Sequence, residues 1–95
     1  MHDDDFEWDD LKAALNLKRH KVSFSDARCA FDDPFADDRY DNREDYREDR
    51  RSVLGYVGNR LLFVAYTVRG GRTHIITARL AEPFEKRLYH DAREH

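Results

Sequence analysis

The chain has 95 residues, 39% of them charged, with a single cysteine and a formal net charge of −3. That length leaves room for one core, so residues 1–95 are expected to form a single domain. One cysteine excludes an internal disulfide and two-cysteine metal or redox motifs. No apolar run approaches the roughly 20 residues that span a bilayer, and the acidic start is unlike a secretion signal, so a soluble protein of the reducing cytoplasm is expected.

Along the chain the charge is segregated. Residues 1–10 carry six acids and no Lys or Arg. Within them Phe6–Trp8 alternates apolar and charged, the pattern of an edge strand. Asp9 or Asp10 then offers a carboxylate to cap a helix. Leu11, Ala14, Leu15 and Leu17 are its apolar positions, and Lys18, Arg19, His20 and Lys21 end it with positive charge that suits the helix dipole. Ser23 or Ser25 can cap a second helix carrying Ala27, Ala30 and Phe31, which Asp33–Pro34 stops because the residue before proline avoids helical geometry. Cys29 is expected to fill space in the core rather than to act as a nucleophile.

Residues 32–50 carry nine acids and four arginines. The stretch 35–50 is compatible with a loop leading into a strand, or with a helix in which Arg43 and Arg47 sit one turn apart; the loop is the preferred reading. From Ser52 the chain turns apolar and β-rich. Ser52–Val57, Leu61–Val68 and Thr73–Ala78 are strand candidates, separated by Gly58–Asn59 and Gly70–Gly71, whose glycines suit tight hairpin turns. Pro83 belongs in the first turn of a last helix. The predicted fold is α+β: two N-terminal helices, an antiparallel sheet and a C-terminal helix.

Four segments, taken together, resemble the BrnT toxins of type II toxin–antitoxin systems. FEWDDLKAALNLKRHKVSF, from Phe6 to Phe24, keeps the family's FEWD opening and, in register, Lys12, Asn16, His20, Val22, Ser23 and Phe24. Ala27–Pro34 supplies an AxxxFDDP run. Leu61–Arg79 is similar to the family's L-x-V-x-Y-T-x-R and R-I-I-S-A-R motifs, and Glu85 and Tyr89 form E-x-x-x-Y. Lys21 stands where the family has glycine, His74 where it has Arg, Thr77 where it has Ser, and Asp49–Arg50 replaces a Glu-Arg pair. The resemblance implies a RelE-like fold, a ribonuclease that needs no metal or other cofactor, inhibition of translation and growth, and neutralisation by a BrnA-like ribbon-helix-helix antitoxin in a hetero-oligomer. It also implies that operator DNA is reached only through that antitoxin.

RNA can be cut without a metal when its own 2′-OH attacks the adjacent phosphate. The reaction needs a proton acceptor, cations for the charge gathering on phosphate, and a donor for the leaving 5′ oxygen. Arg79 is the first candidate for phosphate, since a guanidinium matches phosphate oxygens and stays charged; Arg50 and Arg72 are supporting substrate-binding candidates. His20 and Glu85 are the candidates for proton transfer. Tyr89, one helical turn after Glu85, is the further catalytic candidate: it can point at the same spot and donate a hydrogen bond or stack on a base. Each has a structural alternative: His20 as a helix cap, Glu85 as a salt-bridge partner of Arg79, Tyr89 as core packing. The competing function is a catalytically inactive module that only sequesters its partner. Direct nucleic-acid binding is a third.

Overall fold

The computed structural model describes residues 3–40 and 49–93. In chain order these form β1 (Phe6–Glu7), α1 (Asp10–His20), α2 (Phe24–Ala30), β2 (Asp37–Tyr40), β3 (Arg51–Val57), β4 (Arg60–Arg69), β5 (Arg72–Leu80) and α3 (Pro83–Arg93). The five strands make one sheet in the order β1-β5-β4-β3-β2. Strands β2 to β5 are an antiparallel meander, whereas β1 runs parallel to β5. The α+β expectation holds, with one parallel pair at the edge. Because β1 pairs only with Thr73 and His74, the edge of β5 away from β4 has no strand against it from Ile75 onward among the described residues.

The hairpin turns follow from backbone freedom. Gly58 takes a φ of 63° between β3 and β4, while Gly70 and Gly71 both take positive φ between β4 and β5, as a two-residue type I′ turn requires. Strand β2 lies inside the charged stretch 35–50, for which a loop is the preferred sequence reading. It is an outer strand with only Asp37 half-buried, so its composition carries no apolar alternation. It is held by register with β3 and by Tyr66, whose hydroxyl donates to Asp38 Oδ2 at 2.7 Å. Charge on such an edge also keeps other chains from adding to it. The alternative helix around Arg43 and Arg47 lies outside the described residues.

Two cores sandwich the sheet. On one side α1 and α2 pack through Val22, Phe24, Ala27 and Ala30 against Val53, Leu62, Val64, Tyr66, Ile75 and Ala78. On the other, Tyr89 of α3 and Ala81 pack with Leu54, Leu61, Phe63 and Ala65. Gly55 lets α2 approach β3, since a Cβ there would lie 2.2 Å from the Ala30 carbonyl oxygen. Cys29 is exposed, not core filler.

A β-bulge sits in β5. Tyr66 pairs with Ile75 and Ala65 with Thr77, so Ile76 is the extra residue. Bulges bend the strand and reset which side later residues face. Ala78 therefore joins the α1–α2 core, and Arg79 the α3 side, opposite Phe63.

Helix α1 departs from the sequence reading. Asp9 caps it, accepting from Lys12 N at 3.0 Å, and that bond holds the Asp9 carboxyl below its ordinary value. Its leucines do not face the core: Leu11 is 71%, Leu15 58% and Leu17 48% exposed. The one buried residue of the helix is Asn16. Its Nδ2 donates to the carbonyls of Val22 (3.0 Å) and Ala78 (2.9 Å), and its Oδ1 accepts from Ala78 N (3.2 Å) and Thr77 Oγ1 (2.9 Å). A side-chain amide has the donor and acceptor of a peptide group. Asn16 thus pairs with the open edge of β5 in place of a neighbouring strand. The helix ends at Lys21 in left-handed geometry (φ 60°, ψ 28°), the conformation glycine adopts most cheaply.

Candidate functional site

Chemistry-bearing residues gather at two places along β5. The first is an open cleft of about 740 Å³ between α1 and the bulged edge. Lys12, Lys18 and Arg19 contribute cations, His20 an imidazole, Thr77 and Asn16 polar groups, and Leu15 and Ile76 apolar surface. Helical spacing explains the set. Lys12, Asn16 and His20 follow one another at four-residue intervals, so the buried asparagine that pins the helix to β5 also orients its neighbours one turn away. Positive side chains in the last turn complement the helix dipole. His20 is half-buried, the lysines and arginine exposed.

The second place is the seam between β5 and α3. Arg79 makes a bidentate pair with Glu85, Nη1 to Oε1 at 2.7 Å and Nη2 to Oε2 at 3.0 Å. Its guanidinium lies over the Phe63 ring, 4.1 Å from the centroid. Glu85 is 4% exposed and also accepts from Glu82 N at 2.8 Å, capping the first turn of α3. The Arg79 side chain remains 25% exposed. Tyr89 is 1% exposed, and its hydroxyl donates to Asp33 Oδ2 at 2.6 Å. Asp33 Oδ2 also accepts from Tyr56 N at 2.8 Å, so one carboxylate ties α3 to β3 through the loop after α2.

The remaining candidates are dispersed. Arg72 donates through Nε to the Asp3 carbonyl at 2.6 Å, and Asp3 also pairs with Arg28. Backbone N–H groups of Phe6 and Asp5 hold the Asp3 carboxyl below its ordinary value. Arg50 is half-buried just ahead of β3. His74 places Nδ1 2.9 Å from Glu7 Oε2 across the parallel β1–β5 pair. Among the described residues no three His, Cys, Asp or Glu side chains gather to hold a metal ion.

The structure thus brings Arg79 and Glu85 together and sets Tyr89 in the same core. It places His20 in a cleft whose lining includes none of the three. Residue reasoning missed Lys12, Lys18 and Arg19 as companions of His20. The usable signal is their spacing around Asn16, which a reading guided by the apolar positions of the helix passes over.

The profile of the ribonuclease toxin BrnT, of type II toxin–antitoxin systems, matches residues 8–85. The chain belongs to the BrnT family. No curated protein sequence matches it significantly. The BrnT match runs from Trp8, before α1, to Glu85 in α3, so the cleft and the Arg79–Glu85 pair both lie inside it. Membership in a type II toxin family implies an RNA target and an antitoxin partner. Among the described residues, no helix of this BrnT toxin is long and apolar enough to cross a membrane.

Proposed function

We propose that this BrnT toxin is a cytoplasmic endoribonuclease that cuts RNA without a metal and so arrests translation and growth. The observation that carries the reading is a histidine set among three cations in an open cleft beside a sheet edge. In the proposed step the 2′-oxygen loses its proton and bonds to phosphorus. The bond from phosphorus to the 5′ oxygen breaks, and that oxygen takes up a proton. The products are a 2′,3′-cyclic phosphate and a 5′-hydroxyl end. His20 moves the proton, as an imidazole can near neutral pH. Lys12, Lys18 and Arg19 stabilise the charge that gathers on the phosphate oxygens.

Arg79 supplies a further phosphate contact when phosphate replaces Glu85 on its guanidinium, an exchange of one bidentate acceptor for another. Glu85 and Tyr89 are positioning residues here: one holds Arg79 over Phe63, the other fixes α3 to Asp33. Arg50 and Arg72 add positive charge for flanking phosphates. A BrnA-like ribbon-helix-helix antitoxin neutralises the toxin in a hetero-oligomer, and operator DNA is met only through that partner.

The test is incubation of the purified chain, freed of antitoxin, with naked RNA in EDTA. Fragments with cyclic phosphate ends are expected, and His20→Ala should slow their formation by about 100-fold or more with the fold intact by circular dichroism. Arg79→Ala should also lose activity. Its stability must be followed in parallel, because it strands the buried Glu85 carboxylate. A folded Arg79→Ala protein with full activity removes Arg79 from the site. Intact RNA with the wild-type chain overturns the catalytic reading in favour of an inactive binding module, the alternative that the closed Arg79–Glu85 pair itself favours.

A further inference from the structure

Helix α1 is amphipathic the wrong way round for an isolated domain. Its inward positions are Ala13, Asn16 and His20, and its outward ones are Leu11, Ala14 and Leu15. Surface helices ordinarily turn their apolar stripe to the core. Here Asn16 anchors the helix by hydrogen bonds, which leaves the leucines outside, and single exposed leucines need no explanation but an aligned set does.

From this we infer that the outward face of α1 is the docking surface for the antitoxin, through an amphipathic helix whose apolar stripe covers Leu11, Ala14 and Leu15 and whose flanks are acidic. Charge selects the occupant. Lys12 and Arg19 flank the stripe on one side, Lys18 lies along it and Lys21 follows the helix, against Asp10 alone in the first turn. A second copy docking face to face would set these cations against their own kind. RNA would satisfy the cations and leave the leucines in water. An acidic amphipathic protein segment satisfies both. The same flanking residues line the cleft that holds His20, so a partner seated there screens the cations that RNA would need. The occlusion part of this inference rests on the cleavage reading given above; the docking part does not.

The experiment uses the full chain co-expressed with the antitoxin of its own operon. Hydrogen exchange of the complex against the free chain should show protection centred on residues 10–20. The double variant Leu11→Gln and Ala14→Gln keeps good helix formers at exposed positions outside the cleft lining. It should bind the antitoxin about tenfold to 100-fold more weakly, the effect of losing burial for one leucine and its neighbour. Its RNA cleavage should equal that of the wild type. Protection confined to the exposed Leu80, Phe84 and Leu88 region, or unchanged affinity, overturns the inference. So does self-association of the free chain through α1 in sedimentation, or protection of residues 10–20 by a short RNA but not by the antitoxin. If neither protein cleaves RNA yet the variant binds more weakly, docking on α1 stands and the cleavage reading alone falls.

Discussion

Two neighbouring positions show what a single side chain contributes at the end of α1. Asn16 closes four hydrogen bonds with Val22, Thr77 and Ala78 while nearly buried. Replacing it by Asp keeps the shape but removes both N–H donors and turns a carboxylate toward two carbonyls. Asn16→Asp is expected to destabilise the fold by about 2–4 kcal/mol, seen as a lower urea midpoint with an unchanged slope. Lys21 holds the left-handed cap in a conformation that glycine adopts most cheaply. Lys21→Gly should therefore stabilise the chain by about 0.5–1 kcal/mol, measured as a rise in midpoint. The sequence already indicated this strain, since the missing glycine was visible by register. Asn16 was visible only as a matched letter, because nothing in a one-dimensional pattern says that an amide will replace a strand.

Elements differed in how far their sequences announced them. The β3–β4 and β4–β5 hairpins were plain, since Gly58–Asn59 and Gly70–Gly71 between β-branched runs point to the same geometry. Both N-terminal helices were plain in place, with the caps narrowed to Asp9 or Asp10 and to Ser23 or Ser25; in the fold it is Asp9 and Ser23 whose side chains accept from Lys12 N and Asp26 N. The face of α1 was not plain, because apolar periodicity reports a stripe and not what covers it. Strand β2 was hidden, because an outer strand with three exposed residues has no reason to alternate. The closest approach between elements depends on Gly55 beneath the C-terminal carbonyl of α2. Gly55→Ala forces backbone against Cβ, so it should cost about 1–3 kcal/mol or more, with heat unfolding shifted down and the α2–β3 amides losing exchange protection first.

For the molecule as a whole, pH sets both ends of the stability range. Asp3 and Asp9 have carboxyls held below the ordinary value of 3.8, chiefly by the backbone N–H groups of Phe6 and Lys12. Their contribution is complete above that value and is lost as pH falls through their lowered folded values. Tyr66 behaves oppositely: burial foremost, then its hydrogen bond to Asp38, pushes its hydroxyl from 10.0 up to about 12. The unfolded chain ionises first, so this contribution is complete below pH 10 and disappears as pH rises through about 12. Unfolding scans across pH should fall off at both limits, with the alkaline slope smaller in Tyr66→Phe. At this scale the candidate site was legible in its residue types but not in its assembly. His20, Arg79 and Glu85 could be named from motifs, yet not assigned to separate clusters along β5, because strand parity is countable only when no residue is inserted. The bulge at Ile76 supplies that insertion. Excising this one residue would leave the downstream partners as they are, with Thr77 across from Ala65, Ala78 from Val64 and Arg79 from Phe63. Ironing the insertion flat while keeping its length would do the opposite and swing the Arg79 charge into the oily layer beneath the helical pair. A one-codon deletion of Ile76 should therefore keep the Arg79–Glu85 pair and cost only the bend that the extra residue puts into the strand.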